Sequence, residues 1–336
     1  MRALPWRPVF ALCLALASVS GALAGPHGAA APLSSGEARK WLLRIHAAAH
    51  ERNYQGTLVF SADGALSSAR VAHFGDGPQS YERIELLDGS MQQIYRHNDR
   101  VVTLWPHSRV AVIEERDPRQ ASLRQVVEAR AAEHYELREQ GSDHVAGREA
   151  QVLLLSPRDE LRFAQRLWVD RRTGLMLRAD VLGANQQVLE SSAFSQVEIG
   201  VKAQPQSVLQ PMKHLDGHRQ VRPAPRSTRL DREGWALKSD VPGFQLTSCA
   251  QRTLDPADGA ADPPLPVLQA VFSDGLTQVS VFVEPIDPER PKRALMTHMG
   301  ATQTLAQAHG EWWVTIMGDV PPATLKQFFQ ALERRR

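Results

Sequence analysis

The stretch LLDGSMQQIYRHNDRVVTLW, residues 86–105, sets Asp88, Arg96, His97, Asp99 and Arg100 among apolar neighbours. An imidazole near two carboxylates is the raw material of general acid–base catalysis. The spacing points instead to turns. Asp88-Gly89 lies between ERIELL and SMQQIYR, and a two-residue turn of that type needs the positive φ that Gly and Asp tolerate, so the flanking runs are expected to pair as antiparallel strands. His97-Asn98-Asp99 reads as the next turn and RVVTLW as a third strand. Residues 83–105 then form a meander in which Asp88 and Asp99 serve turn geometry and His97 is exposed beside them.

Other candidate chemistry is thin. His46 and His50 stand four apart on an expected helix, which is metal-ligand spacing, but two ligands are too few for a structural zinc site and no others stand out. His214 and His218 repeat the spacing in a Pro-rich stretch. Gly75-Asp76-Gly77 resembles the start of a dinucleotide loop, yet Pro78 follows and the third glycine is missing. The sequence holds no GxSxG, HExxH, P-loop or CxxC pattern, and no Ser, His and Asp share a nucleophile context. The expectation is a protein that is not an enzyme, with no catalytic residue, no cofactor and no metal.

The N-terminus suggests the compartment. Arg2 and Arg7 precede the apolar run VFALCLALASVS and a small-residue Ala22-Leu23-Ala24 site, so residues 1–24 read as a cleaved signal peptide. The run is shorter than the roughly 20 residues a membrane span needs. Cys13 lies too deep in it, behind Leu12, for a lipoprotein signal. The product is expected to be exported and soluble, hence periplasmic in a Gram-negative cell.

Removing Arg2 and Arg7 from 39 basic residues leaves 37 against 37 acidic ones. Bulk charge then gives no reason to expect a nucleic-acid partner. Cys249 is the one thiol left, so no intrachain disulfide can form.

The 312 residues beyond position 24 are too many for one typical core, and two domains are expected. Residues 25–33 form a flexible leader, 34–202 the first domain, 203–229 a Pro-rich linker, and 230–336 the second domain. Ser34-x-x-Glu37 is a capping box that opens a helix with Ala38, Trp41, Leu42, Ile45 and Ala49 along one face. Strands follow from GTLVFS onward. A helix with Leu123, Val126, Val127 and Ala131 on one side interrupts them. In WVDRRTGLMLRADVLGANQQVLE, turns at 170–174 and 183–185 bound a strand on which Leu175, Leu177, Ala179 and Val181 alternate with polar positions. Beyond the linker, Asp274-Gly275 marks a two-residue hairpin with Val279, Val281 and Val283 on one face. HGEWWVTIMG is a further strand. After Pro321-Pro322 comes a helix with Leu325, Phe328, Phe329 and Leu332 inward. The fold class is α+β: a first domain built as an open antiparallel half-barrel with helices in its hollow, and a second with a smaller antiparallel sheet and helices.

At this point the segments carry a resemblance. NYQGTLVFS, YERIELLDGSMQQIYRHNDRVV, VAGREAQVLLLSPRD, LWVDRRTGLMLRADVL, VPGFQL, VFSDGLTQVSVFV and VTIMGDVPPATLKQF, in that order over nearly the whole processed chain, resemble the RseB/MucB family of periplasmic regulators of the envelope-stress sigma factor. LWVDRRTGLMLR alone is similar to the LolA/LolB lipoprotein carriers. The resemblance implies a first domain that receives acyl chains and a second that engages the periplasmic part of a membrane-bound anti-sigma factor of the RseA/MucA type, shielding it from the first regulatory protease. It implies release by lipid, lipopolysaccharide or mislocalised lipoprotein, and, in the MucB branch, control of alginate genes. It also allows a homo-oligomer, on which Cys249 would report. No residue signature for either binding surface comes with it.

One apolar sheet face with too few helices to cover it leaves room for a lipid pocket, and burying acyl surface is worth about 25 cal/mol per Å². The expected lining is Leu58, Phe60, Ile84, Leu86, Leu104, Leu175, Leu177 and Val181. A lipid or lipoprotein carrier is the alternative function, but it would leave the second domain without a task.

Overall fold

The computed structural model describes residues 31–89, 91–115, 133–223, 225–253, 266–287 and 293–335. The expected signal peptide and the expected helix around Leu123–Ala131 lie outside them. Residues 31–336 form one compact unit. It contains two lobes, each built on its own antiparallel sheet.

Helix α1 (Ser35–Glu51) starts as the sequence predicts. The Ser34 hydroxyl accepts from the Glu37 amide at 3.3 Å and the Glu37 carboxylate accepts from the Ser34 amide at 3.0 Å, which satisfies two otherwise free backbone donors. Eleven strands follow: β1 (Tyr54–Ala62), β2 (Ala65–Asp76), β3 (Gln79–Leu86), β4 (Gln93–His97), β5 (Arg100–Trp105), β6 (Val110–Glu115), β7 (Tyr135–Val145), β8 (Arg148–Pro157), β9 (Ala164–Asp170), β10 (Met176–Leu182) and β11 (Val188–Ile199). Next come helix α2 (Gln206–Lys213) and strand β12 (Arg219–Val221). The twelve strands form one open sheet in the order β12-β6-β5-β4-β3-β2-β1-β11-β10-β9-β8-β7. It consists of two meanders, β1–β6 and β7–β11, joined where β1 pairs antiparallel with β11.

The expected linker, 203–229, is therefore not unstructured. Val208, Met212 and Leu215 are buried against Phe74, Tyr81, Tyr95, Val102 and Ile113, and β12 adds a parallel strand beside β6. Prolines dominate the composition there, but an i, i+4, i+7 apolar row outweighs them: Pro205 sits at the cap, and Pro211 is tolerated in a helix of only 8 residues. Strand pairing places α1 and α2 on opposite faces of the sheet. Leu153, Leu155, Leu167 and Val169 meet Trp41, Leu42 and Ile45 of α1 on one face, while α2 covers the other.

The meander of residues 83–105 forms, with one correction. β3 ends at Leu86 and β4 begins at Gln93, so their connection spans six residues and is not a two-residue turn. The cause is Asp88, whose carboxylate accepts from the Ser68 amide at 2.5 Å and the Ser68 hydroxyl at 2.9 Å, tying the loop to β2. The β4–β5 turn is short, with Asn98 at φ +51°. His97 stacks on Tyr81 at 4.7 Å and bonds Gln79, so it belongs to the sheet surface.

The second lobe comprises β13 (Arg226–Ser227), β14 (Trp235–Leu237), β15 (Gln245–Thr253), β16 (Pro266–Ser273), β17 (Gln278–Pro285), β18 (Leu295–Met299), β19 (Thr302–His309), β20 (Trp312–Gly318), α3 (Pro322–Ala331) and β21 (Leu332–Arg334). Its sheet runs β13-β15-β16-β17-β20-β19-β18. Val279, Val281 and Val283 point to one core with Leu325 and Phe328 of α3, as their alternation and helical spacing predict. Asp274-Gly275 lies in a four-residue turn, since Ser273 pairs with Gln278.

The joint between the meanders depends on Gly56. A Cβ there would collide with the Gln196 carbonyl oxygen and lie 3.0 Å from the Val197 Cα, backbone atoms that cannot swing away. Gly56→Ala is expected to cost about 1–3 kcal/mol, read as a lowered denaturation midpoint at unchanged slope.

Candidate functional site

Two features of the sheet are candidates for function. The first is an apolar cavity of about 220 Å³ between α1 and the strands that flank the meander joint. Ile45 and Ala49 of α1 form one wall. Leu58, Ile84, Leu175, Leu177 and Phe194 form the other, with Tyr54 at one side. Burial, and then the nearby Glu82 carboxylate, push the Tyr54 hydroxyl up to about 12, so it stays neutral at any physiological pH. The strand registers put these residues on one face: Leu58 pairs with Phe194 and Ala69, Ala69 with Leu86, and Val71 with Ile84.

Of the eight residues expected to line a pocket, Leu58, Ile84, Leu175 and Leu177 border this cavity. Phe60 and Leu86 share their face and pack in the same apolar cluster. Val181 lies farther along β10 in register with Glu190, half-buried. Leu104 is a correction. It pairs with Gln93 and Ala111 on the opposite face and is buried under α2. In β5 the residues Val101, Val102, Thr103 and Leu104 are all buried, so no alternation marks which face is which. Ile45, Ala49 and Phe194 complete the wall, beyond the eight residues expected to line it. The spacing of Ile45 and Ala49 after Ala38 and Trp41 is the signal that identifies them.

The second feature is a polar clasp between the lobes. Arg162, in the β8–β9 connection, and Asp274, in the β16–β17 turn, have fully buried side chains. The Arg162 Nε donates to Asp274 Oδ2 at 2.5 Å, Nη1 to Asp159 at 2.5 Å and Nη2 to the Pro242 carbonyl at 2.9 Å, while the guanidinium lies over the Phe244 ring. Tyr135, the first residue of β7, donates its hydroxyl to Asp274 Oδ2 at 3.0 Å. Asp274 Oδ1 accepts from the Leu276 and Thr277 amides. Burial first, and then the Asp274 carboxylate, hold the Tyr135 hydroxyl far above its ordinary range. Nearby His134 is held below its ordinary value by burial and by Arg162. Further ties join the lobes where Thr324 bonds the Leu161 carbonyl and the Gly300 amide bonds Asp63.

His46 and His50 stack on each other on α1, and no group of three metal-ligating side chains occurs among the described residues. No helix among them is long and apolar enough to cross a membrane. Cys249 is buried in the second core.

Two outcomes follow from this chemistry. Asp274→Asn leaves the Arg162 charge without its buried partner and is expected to cost about 3–5 kcal/mol, against about 1 kcal/mol for Tyr135→Phe, measured by denaturant unfolding. The Cys249 thiol is pushed up to about 11, chiefly by burial and then by Glu233 and Asp231. A thiol reagent at about pH 8 should therefore react with native protein at least ~100-fold slower than with unfolded protein, and no disulfide-linked dimer should appear.

Known proteins with this architecture can now be compared. The sigma factor AlgU regulatory protein MucB of Pseudomonas aeruginosa is 29% identical over 304 residues, covering 87% of this chain and 89% of that protein. The sigma-E factor regulatory protein RseB of Escherichia coli K12 is 22% identical over 328 residues, covering 96% and 98%. In the solved complex of Pseudomonas aeruginosa MucA and MucB, the matching chain superposes with a TM-score of 0.68 at 26% identity, covering 89% of this chain and 99% of that one. A crystal structure of MucB with MucA(peri) gives a TM-score of 0.66 at 26% identity over 88% and 98%. Residues 37–212 match the MucB/RseB N-terminal domain and residues 229–333 the MucB/RseB C-terminal domain, so the chain belongs to the MucB/RseB family.

Proposed function

We propose that this chain is a non-enzymatic periplasmic regulator that binds the periplasmic part of a membrane anti-sigma factor of the MucA/RseA type, shields it from regulated proteolysis, and releases it when lipid or lipopolysaccharide occupies the first lobe. The observation that carries this reading is the match over both lobes to a MucB solved together with MucA. The relatives are themselves named as sigma-factor regulatory proteins.

The cavity supports the lipid part. Its volume of about 220 Å³ is below the ~300–1,000 Å³ of ordinary small-molecule sites, so it takes only part of an acyl chain unless α1 moves away from the sheet. The same helix packs through Ala38, Trp41 and Leu42 into the cluster that holds Tyr135. Tyr135 in turn bonds Asp274 in the other lobe. Displacing α1 therefore pulls on the clasp, and the surface that the two lobes offer a partner changes with it.

Ala49→Trp tests the mechanism, since Ala49 sits half-buried on the cavity wall and an indole there fills the space. Binding of a fluorescent fatty acid should fall at least ~10-fold, and binding of the anti-sigma periplasmic segment should persist but lose its sensitivity to lipid, as a gated release requires. Wild-type protein that binds no anti-sigma segment defeats the regulator reading. A variant whose partner is still released by lipid defeats the cavity as the sensor.

A further inference from the structure

Positive charge is distributed unevenly. The chain as a whole holds 39 Lys and Arg against 37 Asp and Glu, yet between Lys202 and Arg229 six Lys or Arg stand against Asp216 alone. Arg226 and Arg229 are neutralised within the second lobe by Glu233 and Asp231. The others are not. Lys213 ends α2, Arg219 opens β12 and Arg222 follows it, all three exposed. The parallel pairing of β12 with β6 brings this segment against the turn before β6: the Arg219 amide donates to the Arg109 carbonyl at 2.7 Å. Arg109 is exposed as well, and Arg109, Lys213 and Arg219 make no ion pair with any described residue.

We propose that this edge of the large sheet docks the protein on an anionic phospholipid surface. Charge complementarity selects the partner class, because Arg109, Lys213, Arg219 and Arg222, set against Asp216 alone in this segment, are attracted to acidic headgroups within a Debye length. The shape selects a surface over a discrete ligand. The cations are spread over a turn, a helix end and an edge strand and converge on no single point. Trp105, half-buried at the foot of the Arg109 turn and paired with Val110, supplies the amphipathic ring that favours the headgroup level. The edge is separate from the acyl cavity, and its test does not depend on that assignment.

The experiment is co-sedimentation of residues 25–336 with vesicles of phosphatidylglycerol and phosphatidylcholine, or of phosphatidylcholine alone. Affinity for the acidic vesicles should exceed that for neutral ones by at least ~10-fold at about 50 mM salt, and most of that margin should vanish by about 300 mM. Arg109→Glu with Arg219→Glu should remove at least ~10-fold of the binding. The control pair Arg39→Glu with Arg172→Glu makes the same charge change at exposed positions elsewhere and should stay within about twofold. If the glutamate pair lowers the melting temperature, single Arg109→Gln and Arg219→Gln replace it, each expected to lose about threefold. Equal binding to both vesicle types, or equal loss in the control pair, overturns the proposal. Tighter binding to soluble polyglutamate than to acidic vesicles at equal charge also overturns it, by assigning the edge to an acidic polypeptide.

Discussion

A guanidinium and a carboxylate, both sealed from water, must be satisfied completely or the fold does not pay for them. Arg162 and Asp274 meet that condition with partners from four segments: Asp159 beside Arg162, Tyr135 at the start of β7, Pro242 and Phe244 ahead of β15, and the amides of the β16–β17 turn. Each segment is pinned by the requirement. Because the two charges come from different lobes, the lobes share one buried polar centre. That centre helps explain why two lobes, each with its own sheet and apolar packing, form a single compact unit.

How far the sequence discloses this depends on whether a residue has one role or two. Ser34 and Glu37 have one, and the capping box is legible. Val279, Val281 and Val283 also have one, and period-two alternation places them inward. Asp274 and Asp88 have two. Both look like turn residues and both lie in turns, but Asp274 also carries the inter-lobe charge and Asp88 also ties β2. A second partner far away in sequence leaves no local trace. Leu104 fails differently: a strand covered on both faces has no alternation to read, so its face was a matter of chance. The α2 segment shows composition misleading where pattern would not, since Val208, Met212 and Leu215 keep helical spacing among four prolines.

The two faces of the large sheet divide the work. On one, α2 packs onto the β2–β6 strands, fixing the half-sheet that carries the basic edge. On the other, Trp41, Leu42 and Ile45 of α1 pack against the cluster around Leu153, while Ile45 and Ala49 also border the cavity. On the proposed mechanism α1 is the element that an acyl chain displaces, and contacts resist displacement only where they exist.

Whether displacing α1 can open the clasp is a question of magnitude. Moving a two-state equilibrium from about 99:1 to 1:99 takes ~5.5 kcal/mol of differential ligand binding. At ~0.8 kcal/mol per buried methylene this equals about seven methylenes accommodated in the opened form and excluded from the closed one. A closed cavity of about 220 Å³ serves that arithmetic by being small. A roomy closed pocket would bind the acyl chain equally in both forms and shift nothing, whereas a cramped one forces most of the chain to wait until α1 has moved. On the proposed mechanism, the poor fit of the resting cavity is what converts lipid affinity into a change at Asp274.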